Sequence, residues 1–189
     1  HLLMPVFLGG LMLGLARTGQ GGRLQVADLF AAFAHPGCGR LLRLGLAWFL
    51  LHLAIMAAGV AVAVYLADLD KLVLLARSED MMAAAEDLTL VLALLSGLLV
   101  YVALALPVAM LVWFAPALVV LEGEGALAAM RHSFVGCLRN FGPFLLYGLV
   151  GLLLFPLLLV VTLGLGFLVL VPVGIVSIYL AYQDIFHRQ

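Results

Sequence analysis

Apolar residues run along this chain in long uncharged blocks, and polar residues gather in short stretches between them. A helix needs about 20 apolar residues to cross a bilayer core, at about 1.5 Å per residue. Leu2 to Ala16 is apolar but short, and reads as the end of a clipped span. Leu44 to Ala67 is 24 residues interrupted only by His52. Leu88 to Leu121 is 34 uncharged residues, too long for one upright span, with Pro107 and Pro116 inside it. The pattern predicts a span from 88 to 113 and then a bent exit. Phe141 to Gln183 is 43 uncharged residues, enough for two spans, with Thr162-Leu163-Gly164-Leu165-Gly166 as the turn between them. The blocks are apolar on all faces, unlike barrel strands, which alternate.

These readings combine into an all-α polytopic helical transmembrane bundle, a single domain over 1–189. Its spans are expected at about 2–16, 44–67, 88–113, 143–161 and 165–183. The chain opens at His1 inside an apolar run, so one more span is expected upstream. No basic leader with a small-residue cleavage site is visible, which argues against a signal peptide.

Charge then supplies sidedness. Arg17, Arg23, Arg40 and Arg43 face one acid, Asp28, in the segment 17–43. The segment 68–87 sets Lys71 and Arg77 against six acids, the segment 122–140 sets Arg131 and Arg139 against the loop charges Glu122 and Glu124, and the tail sets Arg188 against Asp184. Five crossings place seven basic residues on one side and two on the other. The positive-inside rule assigns the richer side, with the C-terminus, to the cytoplasm. Two segments on that side read as interfacial amphipathic helices. In 127–141, Leu127, Met130, Phe134, Cys137, Leu138 and Phe141 share a face, and Arg131, His132, Ser133 and Arg139 take the others. In 24–34 only Gln25 and Asp28 are polar, extended by His35.

Composition agrees with a membrane solvent. Hydrophobic residues are 67% and charged residues 10%, against about half and a quarter in soluble domains, and the mean hydropathy is +1.29. The net charge of -1 gives no reason to expect a nucleic-acid partner.

Candidate chemistry is thin. His52 is the ionisable side chain deep in a span, and such groups are functional candidates by default. The bland alternative is a neutral imidazole hydrogen-bonded between helices, with Ser177 or the Ala103 carbonyl as partner, the latter freed by Pro107. Tyr101 and Ser177 complete the polar residues singled out; Thr89, Ser96 and Thr162 are the remaining polar side chains of the spans. Gly10, Gly14, Gly174 and Ala181 are small residues at helix-contact spacing, with Ser177 between the last two. Cys38 and Cys137 each lie near a histidine, His35 or His132, but the pairs are far apart in the chain. They read as reduced cysteines rather than a zinc set. The glycines around Gln20 lack the lysine of a phosphate loop. No catalytic set, cofactor site or metal site is expected.

From Trp113 onward the chain resembles a family of uncharacterised multi-span inner-membrane proteins of proteobacteria. The matching residues are Trp113-Phe114-Ala115-Pro116-Ala117-Leu118-Val119, Ala129-Met130, Ser133-Phe134, Cys137-Leu138 and Asn140. They continue through Pro143-Phe144, Tyr147-Gly148-Leu149, Gly164-Leu165-Gly166 and Tyr182-Gln183-Asp184-Ile185-Phe186. Asp28-Leu29-Phe30 and Phe33 match more loosely, and Gln183 stands where the family carries an arginine. A more distant likeness, to the membrane part of glycerophosphodiester phosphodiesterases, carries no catalytic reading. The resemblance implies a bacterial inner-membrane location and brings no established activity. Two functions follow as expectations. The first is a non-catalytic accessory or structural subunit that packs against a larger membrane complex, or against further copies of itself. The alternative is a small carrier or channel for a lipid or small solute.

Overall fold

The computed structural model describes residues 1–67, 73 and 88–187. The described chain is helical, with no strand among the described residues. In order come α1 (Met4–Thr18), a 3-10 segment (Val26–Phe33), α2 (Cys38–Leu66) and α3 (Leu88–Val112). Then follow α4 (Ala115–Leu121), α5 (Ala126–Arg139), α6 (Phe141–Val161) and α7 (Phe167–His187). Four stretches are long and apolar enough to cross a membrane: α2, α3 continued by α4, α6, and α7. The block at 2–16 forms α1, which at 15 residues is about 22 Å long and falls short of a crossing. It spends its length on protein instead, packing on the 3-10 segment and on α4. The acidic 68–87 segment, Val73 excepted, and Arg188 lie outside the described residues.

The chain divides into two compact units, His1–Leu46 with Met110–Gln189, and Ala47–Ala109. In the first unit the core is α4, whose residues Ala115 to Val120 are all buried. Phe114, just before it, is fully buried against the rings of Phe144 and Phe186, at 5.5 and 5.7 Å.

The break between α3 and α4 has two causes. Pro116 cannot donate to the Val112 carbonyl one turn back, and it sits in the first turn of α4, where that loss is harmless. Ser133 of α5 supplies the other. Its hydroxyl donates to the Met110 carbonyl at 2.7 Å and accepts the Phe114 N–H at 2.9 Å. Those two groups would pair with each other in an unbroken helix, so Ser133 is spliced into the i to i+4 ladder.

α5 is the amphipathic helix expected over 127–141, but turned. Its buried face is Ala129, Met130, Ser133, Gly136 and Cys137, while Leu127 is 80% exposed and Leu138 50%. Ser133 belongs inside because two backbone groups at the bend need its hydroxyl. The 3-10 segment is likewise turned outward. Asp28 is buried against α1, and Val26, Phe30 and Phe33 are exposed. The Asp28 carboxylate accepts the Gln25 N–H at 2.9 Å and pairs with Arg17 at the end of α1. Charge inside and apolar side chains outside is the arrangement a nonpolar surrounding selects.

The close approach of α1 to this segment runs through Gly10 and Gly14. A methyl added at Gly10 would meet the Leu29 carbonyl oxygen at 2.7 Å, and one at Gly14 the Asp28 β-carbon at 2.8 Å.

α6 and α7 follow Asn140 and are joined by the 162–166 turn. Thr162 ties that turn, donating to the Leu158 carbonyl at 2.5 Å and accepting the Gly166 N–H at 2.6 Å. α6 has no buried residue along its 21 positions.

In the second unit α2 and α3 cross at Gly59 and Gly97. A methyl at Gly59 would lie 2.8 Å from the Gly97 carbonyl oxygen, and one at Gly97 2.8 Å from the Ala63 β-carbon. This is small-residue helix packing in which the backbones themselves touch.

Candidate functional site

Two groups of polar side chains stand out, one in each unit. In the second unit His52 meets Tyr101, with the Tyr101 hydroxyl 3.1 Å from the His52 Nε2. The rings are edge to face, their centroids 5.7 Å apart. Two of the singled-out residues are thus brought together, on facing helices. Ser177 is engaged otherwise: its hydroxyl donates to the Val173 carbonyl of its own helix at 2.8 Å. Tyr101 is a partner the structure shows for His52. A short apolar groove of about 200 Å³ beside Tyr101 is lined by Gly59, Ala63 and Gly97.

The small residues divide as sharply. Gly10 and Gly14 make close contacts within the chain, whereas a methyl at Gly174 would meet open space. Ala181 lines a groove between α6 and α7.

In the first unit a polar knot closes around the turn from Glu122 to Gly125. The Glu122 carboxylate accepts the Tyr182 hydroxyl at 2.5 Å and lies 3.1 Å from the His187 Nε2. His187 also meets the Tyr182 hydroxyl at 3.1 Å. Glu124 pairs with the His132 Nδ1 at 2.7 Å, and Arg40 donates to the Gly123 and Glu124 carbonyls. One turn is therefore held by α2, α5 and α7 together. Tyr182 is 1% exposed, its ring tilted against Phe186 and edge to face with His187. Sequence reading treats Glu122 and Glu124 only as loop charges. Their partner Tyr182 lies 60 residues away, beyond any local pattern.

The cysteines stand apart from their neighbouring histidines' bonds. His35 accepts the Gly37 N–H at 3.0 Å, and His132 is held by Glu124. Cys137 is buried, with its thiol 3.7 Å from the Met110 carbonyl. Burial pushes that thiol up to about 11, against a smaller lowering by the hydrogen bond with Ser133. Among the described residues no group of three or more His, Cys, Asp or Glu is placed to hold a metal ion. The hydroxyls of Ser96, Ser133, Ser177 and Thr162 all bond backbone carbonyls.

Beside the knot, two cavities meet. One, of about 510 Å³, is apolar and lies between the start of α6 and the end of α7, walled by Trp113, Phe144, Tyr147, Ile178 and Ala181. The other, of about 660 Å³, carries His132 and Arg139. Asn140, Asp184 and Ile185 line both. Neither was singled out in the sequence, because each wall comes from separate helices. Compared with known proteins, the chain matches no family model, no curated protein and no solved structure.

Proposed function

We propose that the chain is a non-catalytic accessory or structural component of a bacterial inner-membrane assembly, akin to the multi-span proteobacterial proteins it resembles. The observation that carries this reading is α6. Its 21 residues are apolar, long enough to span, and without a single buried position. Gly142, Gly148 and Gly151 on that helix meet open space. Small residues in spans serve close helix contact, and among the described residues nothing comes close to these three glycines. A second protein, or a second copy of the chain, would supply the contact.

The basic-residue bias supports a cytoplasmic C-terminus, which sets the polar knot and the short helix α5 at the cytoplasmic headgroups. Purification from native membranes in a mild detergent tests the proposal. A stoichiometric partner, or a defined oligomer, is expected; a lone monomer would count against it. The alternative, a small carrier or channel for a lipid or small solute, draws on the helix break at Trp113 and Phe114, since broken helices mark transporter sites. Solute or lipid flux in vesicles containing the purified protein would favour it.

A further inference from the structure

We infer that the paired cavities between α5, α6 and α7 bind one phospholipid with a zwitterionic, primary-ammonium headgroup, of the phosphoethanolamine type. Apolar and charged side chains line two adjoining cavities here. The apolar cavity follows α7 from Ser177 to Asp184, seven residues or about 10 Å of helix. Its walls are aromatic and aliphatic, and its volume of about 510 Å³ is within the range of small-molecule sites. At the Asp184 end it shares Asn140, Asp184 and Ile185 with the second cavity, which carries His132 and Arg139. Apolar in one half and charged in the other, the groove matches a molecule with an acyl chain and a headgroup.

The charges select the headgroup. Arg139 at the end of α5 is a cation with the fork geometry that suits phosphate. His132 adds its second ring nitrogen, the first being held by Glu124. The first turn of α6 starts at the same place with no side-chain cap, so its N–H groups favour an anion as well. Asp184 is an anion shared by both cavities, and Asn140, which donates one amide N–H to the Gly136 carbonyl, has its oxygen as an acceptor. One cation and one anion at the same rim complement a phosphate followed by an ammonium. A primary ammonium offers three N–H donors to Asp184 and Asn140. A choline offers none, and a glycerol headgroup lacks the positive charge. The inference rests on the chain being embedded in a membrane, not on its having a protein partner, so failure to find a partner would leave it standing.

The test uses Trp113, which lines the groove, as the reporter. In the full chain carrying Trp48→Phe, Trp113 is the remaining tryptophan. Its emission is followed in micelles titrated with dioleoyl lipids brominated across the acyl double bonds. Phosphatidylethanolamine should reach half-quenching at a mole fraction about tenfold below phosphatidylcholine or phosphatidylglycerol, as a charge-assisted hydrogen bond warrants. Arg139→Gln and Asp184→Asn should each abolish that preference, and Arg139→Lys should keep most of it. Wild-type elution and helicity of each variant establish that it folds; if either neutral variant fails this check, the three-lipid comparison on the parent protein decides. Equal curves for the three lipids, a preference for phosphatidylglycerol, or an unchanged preference in both folded neutral variants would overturn the inference. So would displacement of the brominated lipid by millimolar free phosphoethanolamine, since that would make the acyl groove irrelevant.

Discussion

Replacing Ser133 with alanine removes one oxygen atom and unpairs two backbone groups. The Met110 carbonyl and the Phe114 N–H both lose the hydroxyl, at a position with 0% exposure where water cannot replace it. Net values for intramolecular hydrogen bonds are about 0.5–1.5 kcal/mol each. Side-chain bonds between membrane helices average about 0.6 kcal/mol and reach about 1.7. Two bonds lost together should therefore cost about 1–3 kcal/mol, or about 5- to 150-fold in the folded-to-unfolded ratio. The two backbone groups cannot simply pair with each other, because that would extend α3 into Pro116, whose ring would strike the Val112 carbonyl. Equilibrium unfolding in mixed micelles, read by helicity, measures the difference. Ser96→Ala is the control. Its hydroxyl bonds the Leu92 carbonyl within one helix, so it should shift stability by less than about 0.5 kcal/mol. A Ser133→Ala protein no less stable than Ser96→Ala would show that the two spliced bonds do not hold the bend.

Three further outcomes follow from the same geometry. Gly10→Val should destabilise by about 1–3 kcal/mol because its side chain strikes the Asp28 and Leu29 carbonyls, while Gly174→Ala should unfold like the parent in the same titration. For His52 and Tyr101, a double-mutant cycle of His52→Leu and Tyr101→Phe should show a coupling near 0.5–1.5 kcal/mol, with His52→Gln losing less than His52→Leu; zero coupling would mean the 3.1 Å contact does not contribute. Cys137 should resist maleimide at pH 8, since a thiol raised to about 11 stays protonated there, and labelling should quicken as pH climbs toward that value or when the chain unfolds. The folded state holds this proton more tightly than the unfolded one, so the associated stability is present below pH 9 and declines from 9 to about 11. Fast labelling of the native protein at pH 8 would show the site to be open.

What could be read from the sequence was whatever depends on neighbours in the chain. The turn at 162–166, the bent exit at Pro116 and a short amphipathic helix near 127–141 all rest on local residue types, and all are present. The burial of that helix was not legible from hydrophobicity, because Ser133 is drawn inside by two backbone groups some 20 residues earlier. The same holds for the 3-10 segment, where the buried group is the charged one, Asp28, answered by Arg17. Small-residue spacing singled out Gly10 and Gly14, where a methyl would strike the 3-10 segment, and equally Gly174, where a methyl would meet nothing within the described residues. It passed over Gly59 and Gly97, which sit on different helices and share no spacing. His52 was visible as an anomaly in its span, and its partner Tyr101 was visible only as one polar residue among several. The knot of Glu122 and Glu124 with Arg40, His132, Tyr182 and His187 needed the fold itself, since it joins three helices through one turn.

The proposed function requires α6 to have a protein neighbour in the membrane. A photoreactive amino acid at Leu152, 70% exposed on that helix, tests it most directly when illuminated in intact native membranes. A cross-link to one discrete polypeptide, either a different protein or a second copy of this chain, is predicted. Adducts to lipid alone, with the chain running as a monomer, would contradict it.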